Sequence, residues 1–122
     1  MSVLVLAVAL LPLADLTPKP TFHTGVIEAP HWIRRPTGPE LAHVYPSRAL
    51  EQGHEGRTVM NCIVTADGHL EECEVIEETP ADEGFAKAAL RLQGKYQMTA
   101  RTADGAPVAG ARIRIPIQWR LR

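Results

Sequence analysis

The sequence predicts an α+β fold: a three-stranded antiparallel sheet in the order 2-1-3, with two helical regions on one face, in the sequence order αββαβ. Three observations carry this. The stretch "RTVMNCIVTADGHLEECEVIEET" places β-favouring residues on both sides of an Asp67-Gly68 turn. "ARIRIPIQWRL" alternates apolar and polar residues without a break. Between them, Phe85, Ala88, Ala89 and Leu92 recur at helical spacing.

Each element follows from local chemistry. "PELAHVYPSRALEQG" reads as helix in two pieces, with Pro39 and Pro46 in first turns, where a missing N–H costs nothing, and Gly53 as the stop. Ala42, Tyr45, Ala49 and Leu50 fall on one side of it. In the hairpin, Met60, Cys62 and Val64 share a face with Leu70, whereas Cys73 and Val75 are one residue out of step, which predicts a bulge near Glu71 and Glu72. The next helix is expected to open with Thr79 as cap and Pro80 in its first turn, and to stop at Gly94. In the last strand Ile113, Ile115, Ile117, Trp119 and Leu121 form the core side, and Arg112, Arg114, Pro116, Gln118 and Arg120 the wet side. A helix between the second and third strands returns the chain to its starting end, so the third strand lies beside the first and forms an edge.

At 122 residues and 13.4 kDa, the chain has room for one domain. Its formal charge of −1 is segregated: eleven Asp and Glu lie in residues 40–83, and eight Lys and Arg in residues 84–122. Residues 1–14 read as a signal peptide, because the apolar run from Val3 to Ala14 would reach only about 18 Å as a helix, short of a roughly 30 Å hydrocarbon core. Residues 15–38 hold four prolines from Pro18 to Pro36 and read as an extended tether, with Trp32 and Ile33 expected to dock on the domain formed by residues 39–122.

Export would place the two cysteines in an oxidising compartment. Across an Asp67-Gly68 turn, residues whose numbers sum to about 135 lie opposite, and Cys62 and Cys73 satisfy that sum. A disulfide across the hairpin is therefore expected; the alternative is two reduced, buried thiols.

Other chemistries have little to stand on. The five histidines have no pairs at two to four residues and the cysteines are eleven apart, so no metal site is expected, and no cofactor motif is present. The serines lie outside any nucleophile motif, and alternation leaves the acids from Glu71 to Glu78 solvated, so no catalytic residue is assigned. Trp119 belongs to the core set, which argues against a nucleic-acid surface.

The ordered set Tyr45-Pro46, Gly56, Asp67-Gly68, Asp104-Gly105 with Pro107-Val108, and the closing Ile113-Arg114-Ile115-Pro116-Ile117 resembles the C-terminal domain of TonB, as found in small exported TonB-like proteins. The likeness covers residues 39–122. One departure is that the family's aromatic "WRF" stretch appears as "KYQMTA", with Tyr96 and Met98 in the large apolar places. The resemblance implies a periplasmic module in TonB-dependent transport, membrane-associated if the signal is not cleaved. It would recognise an extended peptide, such as the TonB box of an outer-membrane transporter. The TonB protein proper also carries a transmembrane helix and a long Pro- and Lys-rich span, so cleavage near Ala14 would leave a binding module without a motor connection.

The open edge from Arg112 through Ile113, Arg114, Ile115, Pro116 and Ile117 to Gln118 is the candidate peptide site, with strand addition centred on Ile113 to Ile117. Pro116 removes one donor and limits pairing to part of the strand. The alternatives are an edge that pairs with a second copy as a homodimer, an edge that is merely protected, and a small exported enzyme whose site the residues do not locate.

Overall fold

The computed structural model describes residues 25–121; the expected signal peptide, its cleavage point at Ala14 and the first part of the tether lie outside the described residues. Ten elements follow in order: β1 (Val26–Ile27), β2 (Trp32–Arg34), α1 (Gly38–Val44), α2 (Ser47–Gln52), β3 (Gly56–Val64), β4 (Leu70–Thr79), α3 (Phe85–Arg91), a single 3-10 turn (Gln93–Lys95), β5 (Gln97–Met98) and β6 (Arg112–Trp119). The main sheet has the order β1-β6-β3-β4, and β2 pairs with β5 in a small second sheet. The three strands expected from the sequence, β3, β4 and β6, lie in the expected order, with the helices over their apolar face.

One addition matters for the site. The sheet is four-stranded and mixed, because β1 pairs in parallel with the start of β6, Val26 beside Arg112 and Ile27 beside Ile113. Part of the segment expected to be a tether is thus stitched to the domain. Isoleucine supplies the reason: Ile27 is buried, and so gains apolar burial along with the ladder bonds. Trp32 also docks, its ring 5.2 Å from that of Tyr96, but Ile33 does not and stands 62% exposed.

The helices before the hairpin form as two pieces. Thr37 and Glu40 make a reciprocal capping box at the start of α1, and Gly53 ends α2 at φ 70°. Glu40 is further held by Arg34 Nη2 and Lys95 Nζ, each at 3.2 Å, so one carboxylate ties β2, α1 and the turn after α3 together. The backbone N–H of Thr37 and then Lys95 hold its carboxyl below the usual range. Tyr45 and Ala49 are buried as expected, whereas Ala42 and Leu50 are exposed and Val44 is buried instead.

The hairpin turn is longer than the two residues expected. Thr65 N–H donates to His69 O and Gly68 N–H to Thr65 O, leaving a three-residue loop, Ala66-Asp67-Gly68, with Gly68 at φ 85°. The tetrapeptide "TADG" recurs at Thr102–Gly105 with the same bonding: Thr102 N–H to Ala106 O, Gly105 N–H to Thr102 O, and the threonine hydroxyl on the aspartate of each turn.

Two bulges then re-phase β4. Ile63 faces Glu71, but Asn61 faces Glu74, so Glu72, at φ 49°, is the extra residue. Met60 faces Val75 but Val59 faces Glu77, so Ile76 is a second extra residue and stands exposed. The first bulge, in the expected place, puts Cys73 on the helix side beside Cys62, and the two are bonded with S–S 2.04 Å. The second brings Glu78 to that side.

Glu78 explains why α3 starts later than expected. Thr79 remains in β4, paired with Arg57, rather than capping a helix. The Glu78 carboxylate accepts from Ala86 N–H at 2.7 Å and Asp82 N–H at 3.3 Å, so the first turn is capped from the neighbouring strand, with Gly84 at φ 91° as the entry residue. The expected stripe of Phe85, Ala88, Ala89 and Leu92 is buried.

The core centres on Trp119, 1% exposed, whose Nε1–H donates to the buried Thr58 hydroxyl at 3.0 Å. Tyr45 and Phe85 pack on it with centroids 5.8 Å away.

Candidate functional site

The residues that carried the family resemblance are framework. Tyr45 donates its hydroxyl to His54 O at 2.5 Å, and Pro46 leads into α2. Gly56 lies under the Phe85 ring, where a Cβ would come within 2.8 Å. A Cβ on Gly68 would lie 1.9 Å from Met98 O, whose own N–H donates to Gly68 O at 2.8 Å. Asp104-Gly105 forms the second "TADG" turn, Pro107 bridges to Arg101, and the buried Val108 donates its N–H to Ala100 O. Tyr96 and Met98 fill the places of the missing aromatics and are both buried, and burial pushes the Tyr96 hydroxyl up to about 12.

What remains as surface is the edge of β6. Strand parity determines which backbone groups face outward. Arg112 N–H donates to Gly25 O on the β1 side at 3.2 Å, while Leu121 N–H turns the other way, to Glu55 Oε2 at 2.6 Å. With no register shift between β6 and β3, the main-chain groups of residues 112, 114, 116, 118 and 120 point outward and those of 113, 115, 117, 119 and 121 point inward.

The missing N–H of Pro116 is therefore an outward one, and the ladder to β3 loses nothing to it. The parallel register of β1 takes up Arg112 and extends to the N–H of Arg114. Beyond it the edge offers the carbonyls of Arg114 and Pro116, both groups of Gln118, and the N–H of Arg120.

Of the expected residues, Arg112 and Ile113 are paired by the chain's own β1; the main chain beyond them, from Arg114 to Arg120, is centred on Ile117.

Side chains alternate as expected. Ile113, Ile115, Ile117 and Trp119 are buried, and Arg112, Arg114, Pro116, Gln118 and Arg120 are exposed. On that solvent face the register forms rows from β6 to β4: Arg114, Asn61 and Glu74 in one, Arg112, Ile63 and Glu71 in the next. Part of the charge segregation of the sequence thus becomes a basic β6 and an acidic β4 on either side of β3, with Arg57 and Glu77 bridged at 2.7 Å.

The two edges differ in kind. β4 carries five glutamates and two bulges, the devices that discourage strand pairing. β6 beyond Ile113 is regular. Beside its C-terminal end, toward the helices, an apolar groove of about 510 Å³ lies between α1, α2 and Trp119 to Leu121, with Leu50 at its rim, 52% exposed. Alternation in the sequence marked the edge; the groove had no local signal, because its walls come from three elements.

Among the described residues, no group of three or more His, Cys, Asp and Glu is placed to hold a metal, and no helix is long and apolar enough to cross a membrane.

The fold is similar to that of solved TonB structures. The solution structure of the Pseudomonas aeruginosa TonB C-terminal domain superposes with a TM-score of 0.58 at 22% identity, covering 82% of this chain and 96% of that one. The TonB2 protein from Vibrio anguillarum gives 0.51 at 20% identity, covering 87% and 95%. An uncharacterised protein of Caulobacter vibrioides is 38% identical over 64 residues, 52% of this chain; the match spans 64% of that relative's length. Residues 42–121 match the family described as Gram-negative bacterial TonB protein C-terminal, and the chain belongs to that family.

Proposed function

We propose that the chain is a periplasmic TonB-like binding module that takes an extended peptide as an added strand beside β6. The observation that supports this is the regular, outward-facing main chain from Arg114 to Arg120, next to an opposite edge guarded by glutamates and bulges. Arg114 and Arg120 flank that stretch and form no ion pair among the described residues, which suits a ligand with acidic or polar side chains on the solvent face. Pro116 interrupts the row of donors, so pairing is partial and affinity modest. In the family's setting the ligand is the TonB box of an outer-membrane transporter; the physical requirement is only an unstructured strand-former.

The test is amide shift mapping of labelled protein against box peptides. Strand addition predicts the largest changes at Gln118 and Arg120; changes confined to the helices or to β4 would overturn it. Export with cleavage near Ala14 belongs to the same proposal, and intact mass of the protein from its native host checks it: a full-length cytosolic chain would refute it.

A further inference from the structure

We propose that the groove at the C-terminal end of β6 is a selectivity pocket that takes a large apolar side chain from the added strand, beside an acidic residue held by Arg120. This rests on the strand-addition reading above and assigns the ligand's side-chain pattern. Residues directly across from each other in paired strands place their side chains on the same face of the sheet. A ligand residue across from Arg120 therefore lies on the solvent face, next to an exposed guanidinium that has no carboxylate partner among the described residues. Its neighbour, across from Trp119, points to the helix side.

On that side, at the end of the strand, lies the groove of about 510 Å³, walled by Leu41, Tyr45, Trp119 and Leu121 and rimmed by Leu50. That volume falls in the range of small-ligand sites and exceeds a single leucine side chain. Leu50 is 52% exposed although it belongs to the chain's apolar set, and it borders the free part of the edge. The opposite end of the edge is filled by β1, so the ligand's main chain is confined to the end where the groove lies. The chemistry selected is an extended peptide with an acidic and a large apolar residue at adjacent positions, a pattern the alternating arginines of β6 and the adjoining apolar walls match together.

The experiment uses the full chain and three blocked nonapeptides: one with adjacent Glu and Leu in an otherwise Thr/Ser/Val background, the same peptide with Leu→Ala, and the same with Glu→Lys. Binding is read by amide shift titration. The Leu→Ala peptide is expected to bind about tenfold or more weakly, the scale of losing one buried leucine, and the Glu→Lys peptide several-fold more weakly. In the protein, Leu50→Ser, at a half-exposed site that leaves the fold intact, should weaken the Leu peptide several-fold and the Ala peptide hardly at all. Arg120→Glu should invert the preference between the Glu and Lys peptides.

Equal binding of the Leu and Ala peptides, with shifts still at Gln118 and Arg120, would overturn the pocket and leave strand addition standing. No shift at those residues with any peptide would overturn both. Concentration-dependent shifts of Leu41 and Leu50 without peptide would assign the groove to a second copy of the chain and also overturn the pocket.

Discussion

Cys73 faces Cys62 because Glu72 stands out of the ladder between them and the turn. Near the loop, opposed residues sum to 134, as in Ile63 with Glu71; past Glu72 they sum to 135, as in Asn61 with Glu74. The bond, with a sequence separation of 11, locks β4 to β3 from the core side. Replacing both cysteines by serine should lower stability by about 3 kcal/mol in the chain-entropy view, with a matching fall in the urea midpoint. Deleting Glu72 restores strict alternation and moves Cys73 into the vacated place, so the deletion variant should still form the bond. Intact mass after alkylation without reduction checks this: two alkylated thiols would contradict it.

Glu78 caps α3 from another strand. Glu78→Ala removes acceptors from Ala86 N–H and Asp82 N–H, and should cost about 1 kcal/mol. Hydrogen exchange should localise the loss to the first turn of α3; an unchanged rate at Ala86 would show that the carboxylate is not the cap.

The two "TADG" turns form an internal control. Gly68 and Gly105 share φ 85°, yet a Cβ at Gly105 meets nothing within 4 Å, whereas one at Gly68 meets Met98 O. Gly105→Ala should cost only the left-handed backbone term, about 1–2 kcal/mol. Gly68→Ala must in addition separate the hairpin loop from β5, and is expected to cost at least about 2 kcal/mol more, read as the difference in urea midpoints. Equal losses would mean that β5 moves away freely.

The Tyr96 hydroxyl, raised to about 12 by burial and slightly offset by Arg35, links stability to alkaline pH. Between the ordinary tyrosine range near 10 and about 12, the unfolded chain has released the proton and the folded chain still holds it. The folded state then binds more protons, so its stability is full below about pH 10 and falls as pH rises toward 12. Absorbance at 295 nm should show Tyr96 ionising late, and Tyr96→Phe should flatten this part of the stability profile.

Periodicity carried the fold as far as local rules reach. The run Ile113 to Trp119 and the stripe Phe85, Ala88, Ala89, Leu92 needed only the strand and helix periods, and both faces are where those periods place them. The phase slip from Leu70 to Cys73 was legible for the same reason: it breaks a period of two, and only an added residue restores it. The start of α3 was not legible, because its cap is a strand side chain brought into place by a second bulge at Ile76, and Thr79-Pro80 resembles a helix entry when only neighbours in sequence are considered.

By itself, then, the sequence determined the alternation that makes β6 half wet, the paired cysteines and the order of the three long strands, all of which follow from contacts along the chain or across one turn. Tertiary structure alone decided how much of the edge is open. Two residues of a proline-rich segment, Val26 and Ile27, lie beside Arg112 and Ile113 because Ile27 finds a buried place there, a contact across some 85 residues that no local pattern encodes. It also decided which way Pro116 faces and where the groove lies, since strand parity is counted from a neighbour's hydrogen bonds, and the groove's walls come from α1, α2 and β6 only after they pack.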